Sequence, residues 1–100
     1  HIFILMTEEL SYKKSVALAE TFQVLSDPSR LRILTLLRKE RPVNDLVRKV
    51  GPSQSAVSHQ LRALRQLKLV SYRRVGKSVL YKLSSGTMRT LLEKGMDLVR

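Results

Sequence analysis

SQSAVSHQLRALRQL, Ser53 to Leu67, carries two interleaved helical patterns. Val57, Leu61 and Leu64 recur at i, i+4 and i+7, which predicts one apolar face turned inward. Ser55, Ser58, Arg62 and Arg65 recur at i, i+3, i+7 and i+10 on another face. That face begins with small hydrogen-bonding side chains and ends in two arginines. Small polar groups at a helix start can approach base edges in a DNA major groove, and arginines further along can reach phosphates. On this helix alone, a surface helix with merely solvated charges fits equally well.

The flanking residues decide between the two. Upstream, Val43, Leu46, Val47 and Val50 mark a short amphipathic helix over residues 43–50. Gly51 stands where a left-handed C-terminal cap is expected, Pro52 stops the helix, and Ser53 can cap the next one. Two helices joined by a short glycine-containing turn, the second polar and basic outward, predict a helix-turn-helix. Downstream of Lys68 the period becomes two. Val70, Tyr72 and Arg74, then Val79, Tyr81 and Leu83, alternate on either side of Val75-Gly76-Lys77, which predicts a two-stranded hairpin with a glycine turn. Arg73, Arg74 and Lys77 are expected at its tip. A solubilising sheet edge is the plainer alternative, but a basic hairpin directly after a helix-turn-helix reads better as a wing over a nucleic-acid backbone.

Further out, Thr7-Glu8-Glu9 reads as a helix start, and Val16, Ala19, Phe22 and Leu25 extend that helix over residues 8–25. Asp27 as N-cap and Pro28 as first residue open a second helix, which carries Leu31, Ile33, Leu34, Leu36 and Leu37 and ends in Arg38 and Lys39. After Ser84-Ser85-Gly86-Thr87, the stripe Met88, Leu91, Leu92, Gly95 and Val99 predicts a last helix over residues 85–99. The expected fold class is therefore mainly α with a β-hairpin (α+β), in the order α-α-α-α-β-β-α. It forms a single domain over residues 1–100. Met6 reads as a natural start, which makes residues 1–6 an extension without functional weight.

Composition narrows the partners. Lys plus Arg is 19 and Asp plus Glu is 8, a net charge of +11, and such an excess predicts attraction to a polyanion. The basic residues are spread over several segments instead of one amphipathic helix, which favours nucleic acid over a membrane surface; with the helix-turn-helix, double-stranded DNA is the expected partner. The absence of cysteine excludes disulfides, thiolate metal sites and cysteine nucleophiles, and is compatible with a cytoplasmic location. One credible histidine, no Gly-rich phosphate loop and no carboxylate cluster leave an enzyme poorly supported. His59 reads either as a packed surface residue or as a DNA contact, the second being favoured.

This order of elements resembles the winged helix-turn-helix repressors of the ArsR/SmtB family, over about Leu18 to Val99. The resemblance is carried by Leu25-Ser26-Asp27-Pro28-Ser29-Arg30-Leu31-Arg32-Ile33-Leu34 and by Ser53-Gln54-Ser55-Ala56-Val57-Ser58-His59-Gln60-Leu61-Arg62. It implies a homodimer that represses transcription by binding an imperfect inverted repeat, with an inducer, often a metal ion, that weakens binding. Gln54, Ser55, Ser58 and His59 are then expected to face bases. Arg62, Arg65, Arg73, Arg74 and Lys77 are expected on phosphates. The first and last helices are expected to form the dimer interface through Val16, Ala19, Met88, Leu91, Leu92, Gly95 and Val99. The family's usual metal ligands are replaced. Pro42 and Asn44 stand at its Cys-x-Cys positions, Ser85 and Thr87 at its Asp-x-His pair, and Leu98 at its later histidine, so neither usual metal site and no cofactor is expected. Glu93 and Asp97 are expected to pair with cations such as Lys94 or a second copy's Arg100. The inducer is not identified by the sequence. The alternative is a winged-helix module for protein interaction or non-specific architectural DNA binding.

Overall fold

In the computed structural model, which describes residues 8–100, four of the five helices described start at a capping side chain. Helix α1 (Tyr12–Leu25) begins where Ser11 accepts from the Lys14 amide, and α2 (Pro28–Leu36) where Asp27 accepts from Arg30. Strand β1 (Arg41–Pro42) runs directly into α3 (Val43–Val50). Ser53 caps α4 (Gln54–Gln66) through Ala56, and Ser85 caps α5 (Gly86–Asp97) through Met88. Each such cap is worth about 1 kcal/mol. Strands β2 (Val70–Val75) and β3 (Ser78–Leu83) lie between α4 and α5.

Three expected boundaries shift. Thr7 lies outside the described residues, and Glu8 to Leu10 are not helical; Ser11, which satisfies a first-turn amide, starts α1 instead. Helix α2 stops at Leu36, and Arg38 and Lys39 lie beyond it. Arg38 Nε nevertheless donates to the Thr35 carbonyl at 2.8 Å, so the cation still serves the helix end. Leu98 and Val99 lie past the end of α5.

The core is built from the stripes. Leu34, Leu37, Leu46, Leu61 and Leu64 are fully buried, joined by Ile33, Val57, Val70 and Leu83. Burial of side chains of this size contributes about 1.5–3 kcal/mol each. Helices α3 and α4 meet through Gly51-Pro52-Ser53. Gly51 is not the left-handed cap expected of it: its φ is −99° and ψ 144°, ordinary extended backbone. Its reason is space, because a Cβ there would stand 2.3 Å from Cγ2 of buried Val57. The left-handed position is Lys68, at φ 62°. There the Leu69 amide reaches back to the Leu64 carbonyl and Lys68 to that of Arg65, the double bond of a Schellman ending.

The sheet has three antiparallel strands in the order β1-β3-β2, not two. Arg41 and Pro42 pair with Tyr81 and Leu80. Proline is tolerated there because β1 is an edge, where no second neighbour needs its missing N–H. Gly76 supplies the positive φ of the β2–β3 turn, at 61°. At its root the hairpin is fastened to the helices by Leu83 N–H to the Leu37 carbonyl and Ser84 N–H to that of Leu69. The whole is an α+β winged helix-turn-helix.

Candidate nucleic-acid interface

Burial of Val57, Leu61 and Leu64 fixes the rotation of α4 and turns its opposite side to solvent. Gln54, Ser55, His59, Arg62 and Arg65 are exposed, and Ser58 is half-buried. Gln54 also lines a cleft of about 210 Å³ with Asn44 of α3 and with Lys77 and Ser78 of the wing. The helix start and the wing tip, 23 positions apart in sequence, thus border one concavity.

Strand pairing sorts the wing residues. Val70 opposes Leu83, Tyr72 opposes Tyr81, and Arg74 opposes Val79, so these share one face; Ser71, Arg73 and Val75 share the other with Lys82, Leu80 and Ser78. The first face belongs to α4. Arg65 lies over the Tyr72 ring at 4.8 Å from its centroid, and the Tyr72 and Tyr81 rings are 5.6 Å apart. Arg65 therefore braces the wing against α4 as well as offering charge; such a contact contributes about 0.5–1 kcal/mol at exposed sites.

Arg73 corrects the expectation of a joint cationic tip. It points to the opposite face, where Nε and Nη2 donate to the Glu40 carboxylate at 2.9 and 2.8 Å. This two-pronged hydrogen bond holds Glu40 below the usual glutamate range, assisted by the charges of Arg73 and Lys82 and opposed by burial. Glu40 in turn raises Arg73. Asp45 is likewise lowered, first by the Arg41 hydrogen bond at 2.7 Å and then by that of Arg48 at 2.8 Å.

Several positioning contacts escaped the sequence. Arg30 Nε donates to Gln60 Oε1 at 3.1 Å and ties α2 to α4. Arg32 donates to the Lys49 carbonyl, and Arg41 to that of Leu36, so cations fasten the loops around the helix-turn-helix. No period marks such pairs; only a polar residue at the border of an apolar stripe, as Gln60 is, hints at them.

The expected dimer residues divide. Met88 and Leu92 are buried in the chain's own core and Leu91 is half-buried against it, whereas Val16, Ala19, Gly95 and Val99 are exposed. Phe22 and Leu18 add exposed apolar surface on α1. Glu93 pairs with Arg38 at 3.7 Å and Asp97 with Arg100 of the same chain at 3.2 Å, in place of the partners expected. Among the described residues, no three His, Cys, Asp or Glu side chains come together, and no helix is long and apolar enough to cross a membrane.

Residues 27–72 match the model of the family described as bacterial regulatory protein, arsR family. The chain is 45% identical over 91 residues to a transcriptional repressor SmtB homolog of Synechocystis sp., covering 90% of this chain and 69% of that protein. It is 46% identical over 88 residues to the HTH-type transcriptional regulator NmtR of Mycobacterium tuberculosis, covering 87% and 73%. Its backbone is similar to that of a homodimeric winged helix-turn-helix DNA-binding domain from Mycobacterium bovis, with a TM-score of 0.74 and 27% identity over 93% of this chain and 90% of that one.

Proposed function

The chain belongs to the arsR family of bacterial regulatory proteins and is a DNA-binding transcriptional regulator, not an enzyme; from that premise we propose that it acts as a homodimeric repressor on an imperfect inverted repeat. The observation that carries this reading is the exposed, hydrogen-bonding and cationic side of α4 beside the cleft shared by Gln54 and Lys77. Gln54, Ser55, Ser58 and His59 select bases in the major groove. Arg62, Arg74 and Lys77 fix the register on phosphates, with Arg65 bracing the wing and Arg73 contributing less directly. The charge of +11 per chain supplies fast, salt-sensitive, non-specific attraction.

Dimerisation is supported by what α1 leaves uncovered. Tyr12, Val16, Leu18 and Phe22 are exposed on it, and Leu98 and Val99 are exposed past α5. Phe22, Leu31, Leu91, Met96 and Val99 border an apolar groove of about 290 Å³ between α1, α2 and α5. Contiguous apolar surface of this kind marks an interaction site, and the similar Mycobacterium bovis domain is homodimeric. A second copy that covers it through Val16, Ala19, Phe22, Gly95 and Val99 would set two α4 helices about 34 Å apart, one duplex turn. The repressor works in the cytoplasm and does not sense metal at the family's usual positions, since Pro42, Asn44, Ser85, Thr87 and Leu98 provide no strong ligand set.

Duplexes selected from a random pool, measured by fluorescence anisotropy against scrambled controls over a salt series, test the reading. A symmetric repeat, a dimer by sedimentation and a steep salt slope are expected. Equal affinity for selected and scrambled duplexes would replace the repressor with the architectural or protein-binding alternative. Gln54→Ala is expected to change the preference among operator variants by about 1–3 kcal/mol at one position while leaving the salt slope unchanged.

A further inference from the structure

Behind the wing, on the side away from α4, lies a second concavity of about 720 Å³. Arg38 and Lys39 reach it from the α2–β1 connection, Arg73 and Lys82 from β2 and β3, and Arg89 from α5, with Glu40 the one carboxylate on its wall. Two of the five cations are engaged by carboxylates, Arg73 by Glu40 and Arg38 by Glu93. Arg89 donates to the Arg38 carbonyl. Lys39 and Lys82 make no ion pair among the described residues. With five cations and one carboxylate on its wall, the cleft keeps an excess of positive charge, which concentrates counter-ions. Arg73 is forked onto Glu40 and Arg38 is engaged by Glu93, so the charge left for an incoming anion is that of Lys39, Lys82 and Arg89.

We infer that this rear concavity binds a small anion carrying at least two negative charges, of the polyphosphate or polycarboxylate class, between the wing, the α2–β1 connection and α5. The alternation of β2 separates it from the DNA-facing set, because Arg73 and Arg74 point to opposite faces. Its walls belong to the wing that would touch DNA and to α5, which lies beside the proposed dimer groove. Its occupant therefore meets both halves of the proposed repressor. That consequence rests on the repressor reading; the binding itself does not.

Calorimetric titration of the full chain with inorganic pyrophosphate and, separately, citrate at fixed ionic strength tests the site. Saturable binding of at least one is expected, and the two arms tell phosphate from carboxylate chemistry. Lys39→Ala combined with Lys82→Ala, two side chains with no hydrogen bond among the described residues, is expected to weaken it about tenfold, with circular dichroism unchanged. Arg62→Ala on α4 is expected to leave it intact. The bound probe should also change duplex affinity in the wild type and not in the double variant. No saturable heat, or equal weakening by Arg62→Ala, would overturn the site in favour of diffuse charge. If the double variant lost duplex affinity and salt slope as strongly as Arg74→Ala, the seat would belong to a DNA phosphate. Anion binding that persists while duplex selection fails would refute the repressor and leave the site standing.

Discussion

Arg73 and Arg74 are neighbours in sequence and occupy opposite sides of one strand. Arg74 shares its face with Tyr72, on which Arg65 of α4 rests; Arg73 shares the rear face with Lys82 and is forked onto Glu40. The two sides of the wing are therefore electrostatically different. The α4 side presents cations with no carboxylate partner among the described residues, apart from the ring that Arg65 covers. The rear side holds its arginine in an ion pair. Charge in a sequence is a count, whereas charge available to a phosphate depends on which face the strand gives it and what already occupies it.

The largest effect that would break this contrast is at Arg74. Arg74→Ala is expected to weaken duplex binding by about 1.5–3 kcal/mol on all sequences and to lower the salt slope by about one unit, read by anisotropy over a salt series. Arg73→Ala should do much less, about threefold or under in affinity with an unchanged slope, because its charge is already matched. Equal losses for the two variants would abolish the distinction between the faces.

The smallest effect is in acid. Glu40 has a folded value below its unfolded one, chiefly through the Arg73 hydrogen bond. Its contribution is then complete above the unfolded value and is lost as pH falls through the lowered folded one. Glu40→Gln should be slightly less stable than the wild type near neutrality, and the difference in Tm should close below about pH 4. A gap that stayed constant to pH 3 would mean that the ion pair contributes nothing.

Much of the fold was legible because long periodic stripes meet strong punctuation. The start of α4 at Ser53 and the burial of Val57, Leu61 and Leu64 follow directly from spacing. Strand β1 was not legible, since two residues show no period and Arg41-Pro42 reads only as a break. Nor was Glu40, whose partner lies 33 positions away. The alternation that separates Arg73 from Arg74 was present in the sequence, but proximity to the turn suggested a shared tip. The two helix endings invert a familiar rule. Gly51 adopts a backbone open to any residue and is small because Val57 leaves no room, while Lys68 takes the left-handed turn that costs a residue with a Cβ about 1–2 kcal/mol. Residue type at a helix end answers to space as well as to torsion, and only torsion has a sequence rule.

The hairpin is also a lever. Val70 and Leu83 bury its root, and the bonds from Leu83 to Leu37 and from Ser84 to Leu69 clamp it; from Arg73 outward β2 is exposed, as is the turn at Gly76 and Lys77. Six residues of strand span about 20 Å. A rotation of a few degrees at the clamp therefore moves Lys77 by more than an ångström. The seating of Leu37 and Leu83 sets where the far end lands, so a substitution at Leu37 acts on the far end of the arm without touching it.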